Sequence, residues 1–88
     1  MEINKEQLIK NMTENLPMLR KCLNLTQEEL ADKIGVSRST IISIENNKRE
    51  MTWNTFLSLM LLFIKNESTN KLLNVLEIYT DEFHDFIR

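Results

Sequence analysis

The chain has 88 residues, 42% of them hydrophobic, with one glycine, one proline and one cysteine. This length and composition predict a single small, helix-rich domain over residues 1–88, without a second domain. No apolar run approaches the roughly eighteen residues that a membrane span requires, and the polar N-terminus lacks the apolar core of a secretion signal, so we expect a soluble, cytoplasmic protein.

Enzymatic and metal-binding functions are disfavoured by what the sequence lacks. It has no glycine-rich phosphate loop, no cysteine and histidine close together, and too few residues to enclose a substrate cleft. Cys22 has no partner for a disulfide, and with His84 far away in sequence it has no set of zinc ligands. We therefore expect no catalytic residue, no metal site and no cofactor, and we expect Cys22 to be a small buried side chain.

The net charge of −2 disfavours indiscriminate coating of nucleic acid, because non-specific affinity comes largely from neutralised phosphates. The acidity is concentrated near the C-terminus: residues 67–88 include two basic and five acidic residues, whereas residues 1–66 include nine basic and eight acidic ones. Between Lys33 and Arg49 there are four basic residues and one acidic residue. A surface built from that stretch is locally positive, as a DNA-binding surface requires.

The first predicted element is an N-terminal helix over residues 3–15, in which Leu8 and Met12 recur at helical spacing. Pro17 would cost about 3 kcal/mol or more inside a helix, but it is tolerated in a first helical turn. We therefore predict a break near Asn15 and a new helix that starts at Pro17 or the residue before it.

The next stretch predicts two short helices joined by a tight turn. Thr26 and Glu29 have the spacing of a capping box at the start of the first helix. That helix ends at Gly35, which adopts a left-handed backbone at no steric cost. The pattern is that of a helix-turn-helix.

The second short helix, residues 37–46, has an apolar and a polar face. Ser37 caps it, and Ile41 with Ile44 point toward the core. The outward face carries side chains that can hydrogen-bond to the edges of base pairs, namely Arg38, Ser39, Thr40 and Ser43. An ordinary solvated face is the alternative, but the position directly after a well-formed turn favours DNA reading.

The polar loop that follows places Lys48 and Arg49 where they can reach the sugar-phosphate backbone. Thr52 then caps a helix from Trp53 to about Ile64, whose apolar residues cover more than one stripe. This helix must be covered on two sides. The helix-turn-helix supplies one side, and the other needs the C-terminal segment, the N-terminal helix or a second copy of the protein.

The C-terminal segment, residues 67–88, has apolar residues at spacings of four, three, four and three: Leu72, Leu76, Tyr79, Phe83 and Phe86. This pattern predicts a seam that joins two copies into a dimer, with closure of the monomer's own core as the alternative. Thr80 followed by two acidic residues is a helix start, so the segment is either one helix or two, over about residues 69–79 and 81–87.

Over residues 16–64 the chain resembles the lambda-repressor and Cro type of helix-turn-helix DNA-binding domain. The resemblance rests on Gln27 at the start of the first short helix, Ala31 where the two helices touch, Gly35 in the turn, and Ile41 with Ile44 inside. It implies an all-α fold of five or six helices, with the extra N-terminal helix and the C-terminal helical segment added to the family core.

The resemblance also implies a function, that of a sequence-specific transcriptional regulator that reads the major groove with residues 37–46. A repressor is expected, because a bare DNA-binding dimer acts most simply by excluding polymerase from an operator. The implied partner is double-stranded DNA with an inverted-repeat operator, bound by a homodimer. The implied DNA-binding residues are Gln27, Arg38, Ser39, Thr40, Ser43, Asn46, Lys48 and Arg49.

An ion pair is implied as well. In this family an arginine of the first helix commonly pairs with a glutamate late in the reading helix, and the matching residues here are Arg20 and Glu45. Their pairing would fix the angle of the reading helix.

The alternative function is that of an antitoxin or adaptor, which acts mainly through protein contacts with a partner such as a toxin. Ile42 favours this alternative, because the family often has a polar residue there that faces outward. An exposed Ile42 would have to meet either a thymine methyl group or a protein.

Overall fold

In the computed structural model, which describes residues 3–88, six α-helices and no strand are found over the described residues. The helices are α1 (Lys5–Cys22), α2 (Gln27–Ile34), α3 (Arg38–Glu45), α4 (Trp53–Lys65), α5 (Glu67–Val75) and α6 (Asp81–Ile87). This architecture confirms the predicted all-α fold class. The first two residues of the predicted domain lie outside the described part.

The predicted break before Pro17 is wrong, because α1 runs through this residue as one helix of 18 residues. One face of α1 is buried along its whole length, at Leu8, Met12, Leu16 and Leu19. Full burial of a leucine side chain contributes about 1.5–3 kcal/mol. Two leucines placed on either side of the proline therefore offset its cost of about 3 kcal/mol, and the extra N-terminal helix is the first half of α1.

The start and end of α2 follow the local signals in the sequence. Thr26 accepts a hydrogen bond from the backbone N–H of Glu29, whose carboxylate accepts one from the backbone N–H of Thr26, which completes the capping box. The hydrogen bond from this backbone N–H lowers the pKa of the Glu29 carboxyl group. Gly35 ends the helix with a φ of 77°, in the left-handed region that glycine adopts most easily.

The chain leaves α3 through a second left-handed residue. Asn47 has a φ of 60°, which asparagine tolerates better than most residues. Met51 then enters the core with only 3% of its surface exposed, and Thr52 caps α4 by accepting a hydrogen bond from the backbone N–H of Thr55. The loop between α3 and α4 is therefore held against the domain at its start by the turn at Asn47 and at its end by the buried Met51 and the cap at Thr52.

The C-terminal segment closes the core of the monomer. Three of its side chains, Leu73, Ile78 and Phe83, are buried with at most 1% of their surface exposed. Asn66 precedes α5, and α5 ends at Val75, so the segment forms two helices and not one. The residues of the predicted seam therefore do not lie along a single helix, and Phe83 belongs to the monomer's own core.

An aromatic cluster joins the start of α4 to α6. The ring of Trp53 stacks on Phe56 with the ring centres 4.8 Å apart, and it meets the edges of Phe83 and Phe86. The ammonium group of Lys5, at the start of α1, lies 5.0 Å from the centre of the Trp53 ring. Aromatic and cation-π contacts of this kind tie α1, α4 and α6 together.

Candidate nucleic-acid interface

Helix α3 is anchored on one side and open on the other. Ile41 and Ile44 are buried, with 0% and 1% of their surface exposed. Of the polar residues of the helix, Arg38 and Ser39 are exposed, while Thr40 and Ser43 are partly exposed. The structure thus places the four predicted base-reading residues on the accessible part of the helix. Ile42 is half-buried, which leaves less apolar surface on α3 than the sequence suggests.

The predicted pairing of Arg20 with Glu45 is confirmed. Arg20 donates to both carboxylate oxygens of Glu45, from Nε at 2.8 Å and from a terminal nitrogen at 3.1 Å. Its other terminal nitrogen donates to the carbonyl oxygen of Leu25 at 2.9 Å. The guanidinium group therefore links the end of α1, the loop before α2 and the last turn of α3. A two-point hydrogen bond between arginine and carboxylate is specific in direction as well as strong.

Gln27 belongs to the same network. Its side-chain Nε2 donates to Glu45 at 3.1 Å, so that Glu45 binds both α1 and α2 to α3. If Gln27 also contacts DNA, as predicted, it does so through the second N–H of its side-chain amide or through the amide oxygen. Gln27 is half-buried, and it lies in the first turn of α2.

A chain of hydroxyl groups lies at the start of α3. The hydroxyl oxygens of Ser37 and Thr40 are 2.8 Å apart, and those of Ser37 and Ser39 are 3.1 Å apart. Arg49, from the loop after α3, donates to the Thr40 hydroxyl at 2.8 Å. The structure therefore brings three predicted site residues together, Ser39, Thr40 and Arg49, with Ser37 between the two hydroxyls of α3.

The loop after α3 presents the remaining predicted residues. Asn46, the C-cap of α3, is exposed, and so are Lys48 and Arg49. The backbone N–H of Lys48 donates to the carbonyl oxygen of Ser43 at 2.8 Å, which folds the loop back against α3. Over residues 3–88, neither Lys48 nor Arg49 takes part in an ion pair.

Between Lys33 and Arg49 the exposed charge is positive, because the single acidic residue of that stretch is paired. Glu45 is only 5% exposed at its side chain and is held by Arg20. The basic side chains of Lys33, Arg38 and Arg49 remain exposed, as does that of Lys48. The local positive charge predicted from the sequence is therefore present at the accessible end of α3 and in the adjoining loop.

Two residues differ from their predicted roles. Cys22 is exposed and not buried, because Leu19, and not Cys22, is the last residue of the buried face of α1. Its sulfur lies 3.8 Å from that of Met18. Ser37 was expected only to cap α3, and its contacts with Ser39 and Thr40 were missed. The available signal was three hydroxyl side chains within four residues at the start of a helix.

Over residues 3–88 no three His, Cys, Asp or Glu side chains converge in a way that could hold a metal ion. None of the helices of that part combines the length and the apolar character needed to cross a membrane.

The similarity to a known protein family covers the stretch that contains α2 and α3. A family model described as "Helix-turn-helix" matches residues 18–52, from the second half of α1 to the cap of α4.

Two relatives are named as uncharacterized HTH-type transcriptional regulators. One, from Methanocaldococcus jannaschii, is 57% identical over 37 residues, which are 42% of this chain and 56% of the relative. The other, from Methanothermobacter thermautotrophicus, is 59% identical over 29 residues, 33% of this chain and 42% of the relative. The chain thus spans about half of each relative. No solved structure matches it.

Proposed function

We propose, from the helix-turn-helix of the lambda-repressor and Cro type that residues 18–52 form, that this protein is a DNA-binding transcriptional regulator. The observation that carries the proposal is the network of Arg20, Gln27 and Glu45, which holds α3 at a fixed angle to α1 and α2. With that angle fixed, the polar side of α3 is available to enter a major groove.

The contacts with DNA divide into two kinds. Arg38, at the start of α3, is the best donor for a bidentate bond to a guanine, worth about 1–3 kcal/mol of discrimination. Ser39 and Ser43 make weaker or water-mediated contacts with neighbouring bases. Lys48 and the exposed side chain of Asn46 contact phosphates, which fixes the position of the domain without reading sequence.

We further propose that two copies bind an inverted repeat. One helix-turn-helix contacts too few base pairs to find a site in a genome, whereas two copies about 34 Å apart on one face of the DNA contact enough. Helix α4 was predicted to have more apolar surface than one monomer can cover. In the monomer Leu61 of this helix remains 73% exposed, and it would lie in the contact between the two copies. Such a dimer would act in the cytoplasm as a repressor, by occupying its operator and excluding polymerase.

The test is a titration of binding to random genomic fragments at increasing salt concentration, followed by selection of the tightest fragments. A protein that neutralises phosphates loses affinity with a slope of about −0.9 in log K against log salt for each phosphate contacted. We expect a steep slope and an enriched inverted repeat. Lys48→Ala should lower the slope by about 0.9 without changing the enriched sequence.

The second candidate is an antitoxin or adaptor whose principal partner is a protein such as a toxin. The observation that favours it is the exposure of single apolar side chains outside the helix-turn-helix, above all Leu61 at 73% and Val75 at 78%. A protein of this kind would show no steep dependence of DNA affinity on salt. The same titration therefore separates the two candidates.

A further inference from the structure

We infer that Thr40 is a positioning residue for Arg49 and not a reader of bases. This inference rests on the proposed function, since it assigns a role within DNA binding. Its basis is the hydrogen bond of 2.8 Å from a terminal nitrogen of Arg49 to the hydroxyl oxygen of Thr40, across nine positions of the sequence.

The donors and acceptors of the hydroxyl chain can be assigned in one consistent order. Arginine has only donors, so Thr40 must accept from Arg49. Thr40 can then donate a hydrogen bond to the hydroxyl oxygen of Ser37, 2.8 Å away, and Ser37 can donate one to that of Ser39, 3.1 Å away. In this order each bond polarises the next one. The Thr40 hydroxyl then donates its only hydrogen and accepts through one of its two lone pairs, and Ser39 keeps the free hydrogen at the exposed end.

The backbone explains how Arg49 reaches Thr40. Asn47 takes a left-handed conformation with a φ of 60°, and the N–H of Lys48 bonds to the carbonyl oxygen of Ser43. These two features turn the chain back along α3, so that the side chain of Arg49 lies beside the first turn of the helix. Arg49 is exposed there, and its remaining N–H groups are available for a phosphate.

Holding the arginine in place before binding has a measurable effect. A long side chain that is ordered only when DNA binds weakens the complex, whereas one that is already ordered does not. Thr40 thus raises affinity for every DNA sequence alike. A base-reading residue would instead raise affinity only for DNA that has a particular base pair at the contacted position.

The experiment compares Thr40→Val, Thr40→Ser and Arg49→Ala for affinity, salt slope and selected sequence. Valine keeps the shape of threonine and removes the hydroxyl group, so Thr40→Val should weaken binding by about 2- to 10-fold, the cost of ordering one long side chain. Its salt slope and its selected sequence should stay unchanged, because Arg49 still reaches the phosphate. Thr40→Ser should restore wild-type affinity. Arg49→Ala should lower the salt slope by about 0.9.

The decisive measurement is the double variant. If Thr40 acts through Arg49, adding Thr40→Val to Arg49→Ala has no further effect on affinity. Lys48→Ala is the matched control, a neighbouring basic residue of the same loop, and in that background Thr40→Val should keep its full effect. Circular dichroism of Thr40→Val, and of Thr40→Ala as a second variant, checks that the partly exposed position leaves the fold intact.

Two other outcomes overturn the inference in distinguishable ways. A changed base preference in Thr40→Val, or an equal loss of affinity in the Arg49→Ala background, makes Thr40 a direct DNA contact and leaves the proposed function standing. A wild-type protein without salt-dependent affinity for DNA overturns the proposed function, and the inference with it.

Discussion

The guanidinium group of Arg20 and the carboxylate of Glu45 meet through two hydrogen bonds, of 2.8 and 3.1 Å, with only 12% and 5% of the two side chains exposed. These residues are 25 positions apart, and their contact is the direct link between α1 and the last turn of α3. Because both groups are largely shielded from water, the loss of one leaves the other charge poorly compensated.

We therefore expect Glu45→Ala to lower the free energy of unfolding by about 3–5 kcal/mol. Glu50→Ala, in the exposed loop before α4, is the control and should change it by less than about 0.5 kcal/mol. Urea unfolding of Arg20→Ala, Glu45→Ala and the double variant gives the coupling energy. Additive effects of the two single substitutions would mean that the pair contributes nothing.

For Arg38, we expect the alanine variant to bind its operator more weakly and to lose discrimination at one base pair in each half-site. The physical reason is that a bidentate bond to guanine contributes about 1–3 kcal/mol of discrimination. Selection from random DNA measures the effect. An equal weakening for all sequences, with a lower salt slope, would instead identify Arg38 as a phosphate contact.

Two phenylalanines of α6 offer a matched comparison of burial. Phe83 is 1% exposed, and Phe86 is 44% exposed. Truncation of a buried phenylalanine costs about 3–5 kcal/mol, whereas Phe86→Ala removes mainly an edge contact with Trp53, worth about 0.5–1.5 kcal/mol. Thermal unfolding of the two variants should reproduce this order. A loss for Phe83→Ala as small as that for Phe86→Ala would show that α6 does not belong to the core.

Unlike the substitutions above, replacement of Pro17 is expected to stabilise the protein. Alanine at this position restores a backbone N–H inside α1, so we expect Pro17→Ala to raise the free energy of unfolding by roughly 1–3 kcal/mol. The smaller value applies if the proline also restricts the unfolded chain. Denaturant unfolding measures the change, and a loss of stability would show that the ring of Pro17 makes contacts that an alanine cannot replace.

The proposed dimer can be tested without disturbing the core. Deleting the chain after Asn66 would also remove Leu73, Ile78 and Phe83 from the core, so that we expect it to unfold the monomer. Leu61→Glu changes a side chain that is 73% exposed and should leave the melting temperature nearly unchanged. Sedimentation should then show a monomer that binds a single half-site. A dimer that persists would place the interface elsewhere.

The helix-turn-helix was predictable because its signals are local. The capping box of Thr26 and Glu29, the left-handed turn at Gly35 and the cap at Ser37 each depend on a few neighbouring residues, and each is found in the structure. The pairing of Arg20 with Glu45 was available from the family resemblance. Local chemistry and a known family pattern thus placed α2, α3 and the surface around them.

The features that were missed depend on contacts between distant parts of the chain. A local rule for Pro17 predicted a break, but the burial of Leu16 and Leu19 against the other helices outweighs it. The seam pattern in the C-terminal segment left open whether the segment is one helix or two, and whether it joins two copies or closes the monomer's own core. In the structure α5 ends at Val75 and Phe83 is buried. No local rule predicts that Arg49 returns to Thr40, because that contact requires the turn at Asn47.

The contact of Lys5 with the aromatic cluster also brings the two ends of the described chain together. The ammonium nitrogen of Lys5 lies 5.5 Å from the ring centre of Phe86, so the start of α1 and the end of α6 share one side of the molecule. A short flexible linker is long enough to join ends this close. The order of the helices along the chain is then separable from their packing. A circular permutant opened between α4 and α5, with α6 joined to α1 by such a linker, should adopt the same fold.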